Sequence, residues 1–391
     1  MKILIISGRI PAANMKGDQL VSFNRIKFYL SLNLDIQVIC FGNRSNKLDD
    51  VLCKKLSEMG VDIKLIKMNR LEALLNLCIS LFTKLPFQCA IYESSAFKKE
   101  VQKSIKIFKP NFLHCMLIRS FENISNSSLP VFVDMVDSMA LNFKRRLDNS
   151  RGVKKLILHE EYNRLVAYEK KVAELASHTF VVASADMNFI ESAKVTSIPL
   201  GVDTEEFKPK KDDNKKLNII FTGNMSYQPN IDAVVWFINN CFKGIKKEFP
   251  DINFNIVGRE PHTSIIKLSI VDKSIQVLGD VDSIAYHLNN SSCALAPMQT
   301  GSGMQNKILE AMACGIPVVS SSMGLGDIKA IRDKEILISD SALGYTETVI
   351  RLLKSKELQE YIGNSGMEYV LQNHNWESVN KNFYNCCLKN L

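Results

Sequence analysis

"APMQTGSGMQNKILEAMACGIPVVSS", Ala296 to Ser321, is the stretch on which the reading of this chain turns. Gly301, Ser302 and Gly303 precede a helical run bearing Lys307 and Glu310, and the run stops at Cys314-Gly315 before the apolar segment Pro317-Ser320. Strand, glycine loop, helix and strand in that order make one unit of a parallel α/β sheet. Glycines let backbone N–H groups approach a ligand, and the free N–H groups and dipole of a helix start favour an anion. Lys307 falls about one turn into the helix, within reach of the same anion, and Glu310 shares its face. A carboxylate beside a phosphate site suits bidentate acceptance from two sugar hydroxyls, as on a ribose. Each piece alone has a plainer reading: a turn, a solvated lysine, a surface acid. Together they describe a cradle for a nucleoside diphosphate.

Outward from that segment the same alternation recurs. Before it, strands are expected at Leu217-Thr222, Asn253-Val257, Ile275-Leu278 and Ala294-Pro297, with a helix opening at Ile231-Asn239. Ligands of open α/β sheets bind outside the carboxyl ends of strands. That selects Gly223-Asn224-Met225-Ser226, Gly258-Arg259, Gly279-Asp280 and Thr300-Gly301-Ser302-Gly303. Upstream of the wholly polar linker "PKKDDNKK" (209–216) lies a second set: Lys2-Ile6, a loop from Gly8 to Gly17, a helix near Gln19-Leu32, then strands at Gln37-Phe41, Asp62-Ile66, Asn111-Cys115, Val131-Val136, Phe180-Ala183 and Ser197-Pro199. Continuous apolar strands such as Lys2-Ile6 suit a parallel sheet covered on both faces. The fold class is therefore α/β, two Rossmann-like, doubly wound domains in series.

Composition agrees and excludes other classes. The 391 residues allow two domains, and 46% apolar with 23% charged residues is a globular balance. No apolar run is long enough to span a bilayer, and "MKILIISGRIPA" is too short in its apolar core for a signal peptide. The ten cysteines form no C-x-x-C pair, which suits reduced core thiols in a cytoplasm and neither a disulfide framework nor a metal site. Net charge is +8 and uneven: residues 1–200 hold 29 Lys+Arg against 19 Asp+Glu, and residues 201–391 hold 20 against 22.

"ILEAMACGIPVVSS" resembles the nucleotide-sugar signature of the GT-B glycosyltransferases called glycosyl transferases group 1, or family 4. "PLGVDTEEFKP", "IIFTGNMSYQPNIDAVVWF" and "FNIVGREP" resemble the interdomain segment, first donor-domain unit and "IVG.GP" turn of that family, in the family's order. "SGRIPAANMKGDQL" stands in the place of its acceptor-side loop, which includes Gly17. The likeness covers most of the chain and is closer in the second half.

The resemblance implies an acceptor-binding domain over 1–198, a donor-binding domain over 199–375 with a cleft between them, and a C-terminal helix, 376–391, that crosses back. It implies a retaining transferase that needs no cofactor and no metal and moves a sugar from a nucleoside diphosphate sugar to a hydroxyl. Glu310 would hold the ribose, and Gly223, Asn224, Gly258, Gly301, Ser302, Gly303 and Met304 would line the donor site. Lys307 and Arg259 would stabilise the leaving diphosphate, with His114 near the reacting sugar. An apolar strand equally accommodates His114 as a core residue. Asp134, Asp137 and Arg119 are acceptor-side candidates, although either aspartate also suits a helix cap. Three positions depart from the pattern: Ser302 replaces a glutamate, and Asn224 and Pro229 replace an arginine and a lysine.

"RLEALLNLCISLFTKLPF" (70–87), with the basic groups at 98–99 and 144–146, reads either as a buried helix or as an element that dips into a membrane surface. The second reading suits a lipid-linked acceptor in capsule or O-antigen assembly at the inner face of a membrane. Nucleic acid finds no binding motif. The rival functions are a UDP-sugar epimerase of the same fold and a non-catalytic nucleotide-sugar-binding or scaffold protein.

Overall fold

The computed structural model describes residues 1–13, 17–148, 150–210, 217–300 and 304–391. The chain divides into two compact units, Met1–Pro199 with Asn380–Leu391, and Leu200–Val379. The last helix, Trp376–Lys389, starts in the second unit, and its residues from Asn380 onward belong to the first.

The first unit is a seven-stranded parallel sheet: β1 (Lys2–Ser7), β2 (Asp35–Phe41), β3 (Asp62–Ile66), β4 (Phe112–Met116), β5 (Val131–Val136), β6 (His178–Val181) and β7 (Val195–Ser197), in the order β3-β2-β1-β4-β5-β6-β7. The second is six-stranded: β8 (Asn218–Thr222), β9 (Asn253–Val257), β10 (Ile275–Gly279), β11 (Cys293–Ala296), β12 (Val318–Ser320) and β13 (Leu337–Ile338), in the order β10-β9-β8-β11-β12-β13. Both are doubly wound α/β sheets, in which strand order reverses at β1/β4 and at β8/β11. Burial on both faces explains why β1 reads as a continuous apolar run and why His114 alone interrupts β4 and Asp134 alone interrupts β5.

The elements that differ from expectation do so for local reasons. Strand β6 begins at His178, two residues earlier than its apolar run, because His178 Nε2 meets Thr196 Oγ1 at 2.8 Å and so enters the sheet satisfied. The helix Gln228–Phe237 starts before Ile231 because Pro229 fits the first turn, where its missing N–H costs nothing. Strand β13 is two residues long, too short to show a period.

Beneath the last helix the first unit buries a polar cluster. Arg25 donates through Nε (3.3 Å) and Nη2 (3.2 Å) to Asp134 Oδ2, and through Nη1 to Asn380 Oδ1 at 2.6 Å. Its guanidinium lies 3.9 Å from the Phe383 ring centroid. Asp134 therefore does not serve an acceptor: it is a buried counter-charge that fixes the end of the chain to the sheet. His114 is corrected in the same way. It sits mid-strand in β4, fully buried, with Nδ1 3.2 Å from Tyr29 Oη and its ring 5.1 Å from that of Phe383. Burial, with Arg25 nearby, pushes its pKa down to about 3, so it is a neutral core histidine out of reach of any sugar.

Removing one charge of a buried pair leaves the other uncompensated, at about 3–5 kcal/mol. Asp134→Asn should lose about that much in chemical denaturation, whereas the double change Asp134→Leu with Arg25→Met should lose much less. Equal losses would show that packing, not charge, holds this site.

Candidate functional site

In the second unit the strand order reverses between β8 and β11, and the loops leaving β8, β9 and β11 lead to the candidate residues. After β8 the chain turns at Gly223, whose φ of 156° is glycine territory. Gly258, after β9, has φ 151°, and a Cβ there would fall 1.6 Å from the Gly223 carbonyl oxygen. The two glycines thus let two strand ends touch backbone to backbone. Gly223 N–H donates to Val257 O (3.0 Å), Gly258 N–H to Gly279 O (2.8 Å) and Met225 N–H to Arg259 O (2.9 Å), so the loops after β8, β9 and β10 form one rigid rim.

Lys307 leans over that rim from the helix Asn306–Ala313. Its Nζ donates to Asn230 Oδ1 at 2.6 Å and lies 4.3 Å from the Phe221 ring centroid and 3.7 Å from Met298 Sδ. A Cβ on Gly223 would stand 3.4 Å from it. Part of the residue remains exposed, yet the ammonium itself is enclosed among apolar groups, which pushes its pKa down to about 7 despite the opposing pull of Glu310. An ammonium held with so little water is poised for an incoming anion.

Asn230 is the residue that sequence reasoning missed. It is buried, accepts from Lys307, and donates through Nδ2 to Asn224 O at 2.8 Å, so it ties the lysine to the loop after β8. Only its place in the first turn of the helix after β8 signals it. Asn224 turns its own side chain back to accept from Ser226 N–H (3.0 Å) and Oγ (2.9 Å). Arg259 is exposed and donates to Asp280 Oδ1 at 3.2 Å, so an anion reaching it competes with a carboxylate. Glu310, one turn after Lys307, is half-buried on the same helix. Met304 is half-buried just before that helix and packs against the apolar cluster under it, and no side chain caps the helix N-terminus. Gly301, Ser302 and Gly303 lie outside the described residues.

On the acceptor side the expected residues separate. Gly17, with φ 68°, immediately precedes the helix Asp18–Ser31, and a Cβ there would meet nothing within 4 Å. Arg119 follows β4 at the reversal of the first sheet, half-buried, its guanidinium 5.8 Å from the Tyr92 ring centroid and its Nε without a hydrogen-bond partner. Gly8, after β1, packs on Tyr92 and Ser120, which brings these groups together at β1/β4. Asp137 is exposed just past β5, while Asp134 and His114 are in the core.

Two outcomes follow. Lys307 ionises near 7 when folded and near 10.5 when unfolded, so its burial destabilises fully below pH 7, and the penalty is relieved as pH rises toward 10.5. Allowing for the lost bond to Asn230, Lys307→Met should stabilise the ligand-free protein by about 1–3 kcal/mol at pH 7. The gain should vanish near pH 10 in thermal melts; a gain that did not change with pH would contradict the buried charge. Gly258→Ala should cost about 3 kcal/mol or more, through strain and the clash with Gly223, and should disturb amide exchange at the ends of β8 and β9.

The family described as Glycosyl transferases group 1 matches residues 216–355, the span holding every second-unit residue named above. An uncharacterised 44.6 kDa protein from the cps region of Klebsiella pneumoniae is 21% identical over 97% of each chain. Among solved structures, sucrose-phosphate synthase from Thermosynechococcus elongatus superposes with a TM-score of 0.69 at 13% identity, over 99% of this chain and 98% of that one. HepE from Anabaena, in complex with UDP, superposes with a TM-score of 0.67 at 12% identity over the whole of both chains. No helix among the described residues is long and apolar enough to cross a membrane. Residues 216–355 are thus a glycosyl transferases group 1 domain, in a chain that has the two-domain GT-B fold of glycosyltransferases.

Proposed function

We propose that this protein is a retaining glycosyltransferase that moves a sugar from a nucleoside diphosphate sugar to a hydroxyl of a glycan or lipid-linked acceptor in surface polysaccharide synthesis. The observation that carries the reading is the enclosed Lys307 ammonium over the ends of β8 and β11, at the start of an uncapped helix. When the bond from the sugar C1 to the diphosphate oxygen breaks, negative charge builds on that oxygen. A preorganised ammonium and helix N–H groups stabilise that charge without reorganising, typically by a few kcal/mol per donor. Glu310, one turn on, accepts from the ribose hydroxyls, and Arg259 supplies a second cation once it leaves Asp280. The diphosphate charge is balanced in this reading without a metal ion, so chelators leave turnover unchanged. The first unit takes the acceptor, with Arg119 at β1/β4 as a candidate cation for it. A match to HepE, which was solved with UDP, and to a relative from a cps region supports the donor class and the pathway.

A second reading has its own observation. Asn224 and Pro229 place no charge where the family carries two cations, and Asn224 spends its side-chain oxygen on Ser226. That pattern also suits a protein that binds nucleotide sugars without transferring them.

Thermal shifts with UDP-, GDP- and ADP-linked sugars separate both readings from neither, and a turnover assay separates them from each other. One nucleotide should raise the melting temperature, by the logic that a ligand of the native state stabilises it. Lys307→Ala should weaken that binding at least about tenfold, since charge-assisted bonds contribute roughly 1.5–3 kcal/mol. Binding should take up a proton and weaken as pH rises above 7, because an anion favours the charged lysine. Turnover with retained anomeric configuration in the product completes the first reading; binding without turnover selects the second, and no binding removes both.

A further inference from the structure

The helix Arg70–Ser80 of the first unit turns its most apolar face outward. Leu71, Leu74, Leu75, Cys78 and Ile79 repeat at the spacing of one helix face, and that face is turned to solvent, with Leu71 at 73% exposure. The inward face is mixed, with Ala73 and Leu77 half-buried beside polar groups that find partners. Asn76 Nδ2 donates to Glu93 O (2.8 Å), Glu72 accepts from Ser95 N–H (2.7 Å), and Ser80 is buried. The following turn extends the outer stripe with Leu81 and with Phe82, which is 91% exposed.

A second apolar group stands beside it. The helix Gly152–Leu175 exposes Val153, Leu156 and Ile157 on its first turns, again at helical spacing. Arg164, about 10 Å further along that helix, donates through Nη1 to Ser80 O and to Leu85 O (3.2 Å), and stacks on Phe87 at 4.5 Å. Glu161 accepts from Phe87 N–H (2.8 Å) and Gln88 N–H (3.1 Å). The turn bearing Phe82 is therefore pinned to the helix bearing Leu156.

The rim of this surface is cationic. Arg70, Lys84, Lys154 and Lys155 take part in no ion pair among the described residues, while the neighbouring acids are engaged: Glu160 with Arg164, Glu93 with Lys98, and Glu72 and Glu161 with backbone N–H groups. A patch this apolar marks a docking surface rather than ordinary solvent-facing polarity. A second copy of the chain would set the same cations against each other across a two-fold interface. An acyl layer beneath anionic headgroups satisfies both parts, with leucines and Phe82 below the headgroups and lysines among the phosphates.

We propose that the helix Arg70–Ser80, the turn through Phe82 and the first turns of the helix Gly152–Leu175 dock this protein onto an anionic phospholipid membrane. The proposal stands apart from the donor site and does not depend on it. The full chain should float with vesicles of phosphatidylcholine and phosphatidylglycerol, and not with phosphatidylcholine alone, and salt should weaken the binding. Leu75→Ser with Phe82→Ser should abolish flotation. Lys154→Ala and Lys155→Ala should each lower partitioning about fivefold. These residues are exposed, so unchanged melting curves check that the variants are folded. No binding to the anionic vesicles, or equal binding by the Leu75/Phe82 variant, overturns the proposal. So does light scattering that shows a dimer dissolved by the same substitutions, which would give the surface to a second copy.

Discussion

The enclosure of one ammonium organises the donor-side unit. Lys307 is held against Phe221, Met298 and Asn230, which come from β8, from the loop after β11 and from the helix after β8. Strand order reverses at that point, so no crossover helix covers it, and polar side chains can reach the strand ends without entering the core. The close approach of Gly223 and Gly258 serves the same end, because any Cβ would part the strand ends on which the lysine rests. Burying the ammonium without a full counter-charge costs stability in the ligand-free protein. Under the proposed function, a donor diphosphate would offset that cost.

The first unit spends its buried charge differently. Arg25 and Asp134 satisfy each other, and Asn380 and Phe383 close over them, so the charges serve to hold the end of the chain. His114 lies in the same layer and stays neutral for the same reason. Of the charged residues expected on the acceptor side, those still reachable are Arg119, with Tyr92 at its own strand reversal, and Asp137 past β5. The two sheets share a topology, yet one keeps an enclosed cation at its switch point and the other a half-buried arginine whose Nε is unpartnered.

The helix Arg70–Ser80 shows where pattern reading stops. Its period is plain in the sequence, but a period names two faces without saying which is inside. Here Glu72 and Asn76 find backbone partners inward and leave Leu71, Leu74 and Leu75 outside. Only those partners, far from the helix in sequence, decide the orientation.

The alternation of apolar runs with helices, and the glycines that end the runs, determined the α/β class, the polar break after Pro209, most strand positions and the place of Lys307 in the first turn of its helix. These are local properties: burial on both faces makes a parallel strand continuous, and a loop that touches another backbone needs glycine. Tertiary structure decided the rest. It set Asn230 under Lys307, turned Asp134 and His114 from candidate site groups into core, and paired Arg259 with Asp280. Whether an ionisable side chain is a site or a strut depends on what packs against it, and those neighbours come from distant elements of the chain.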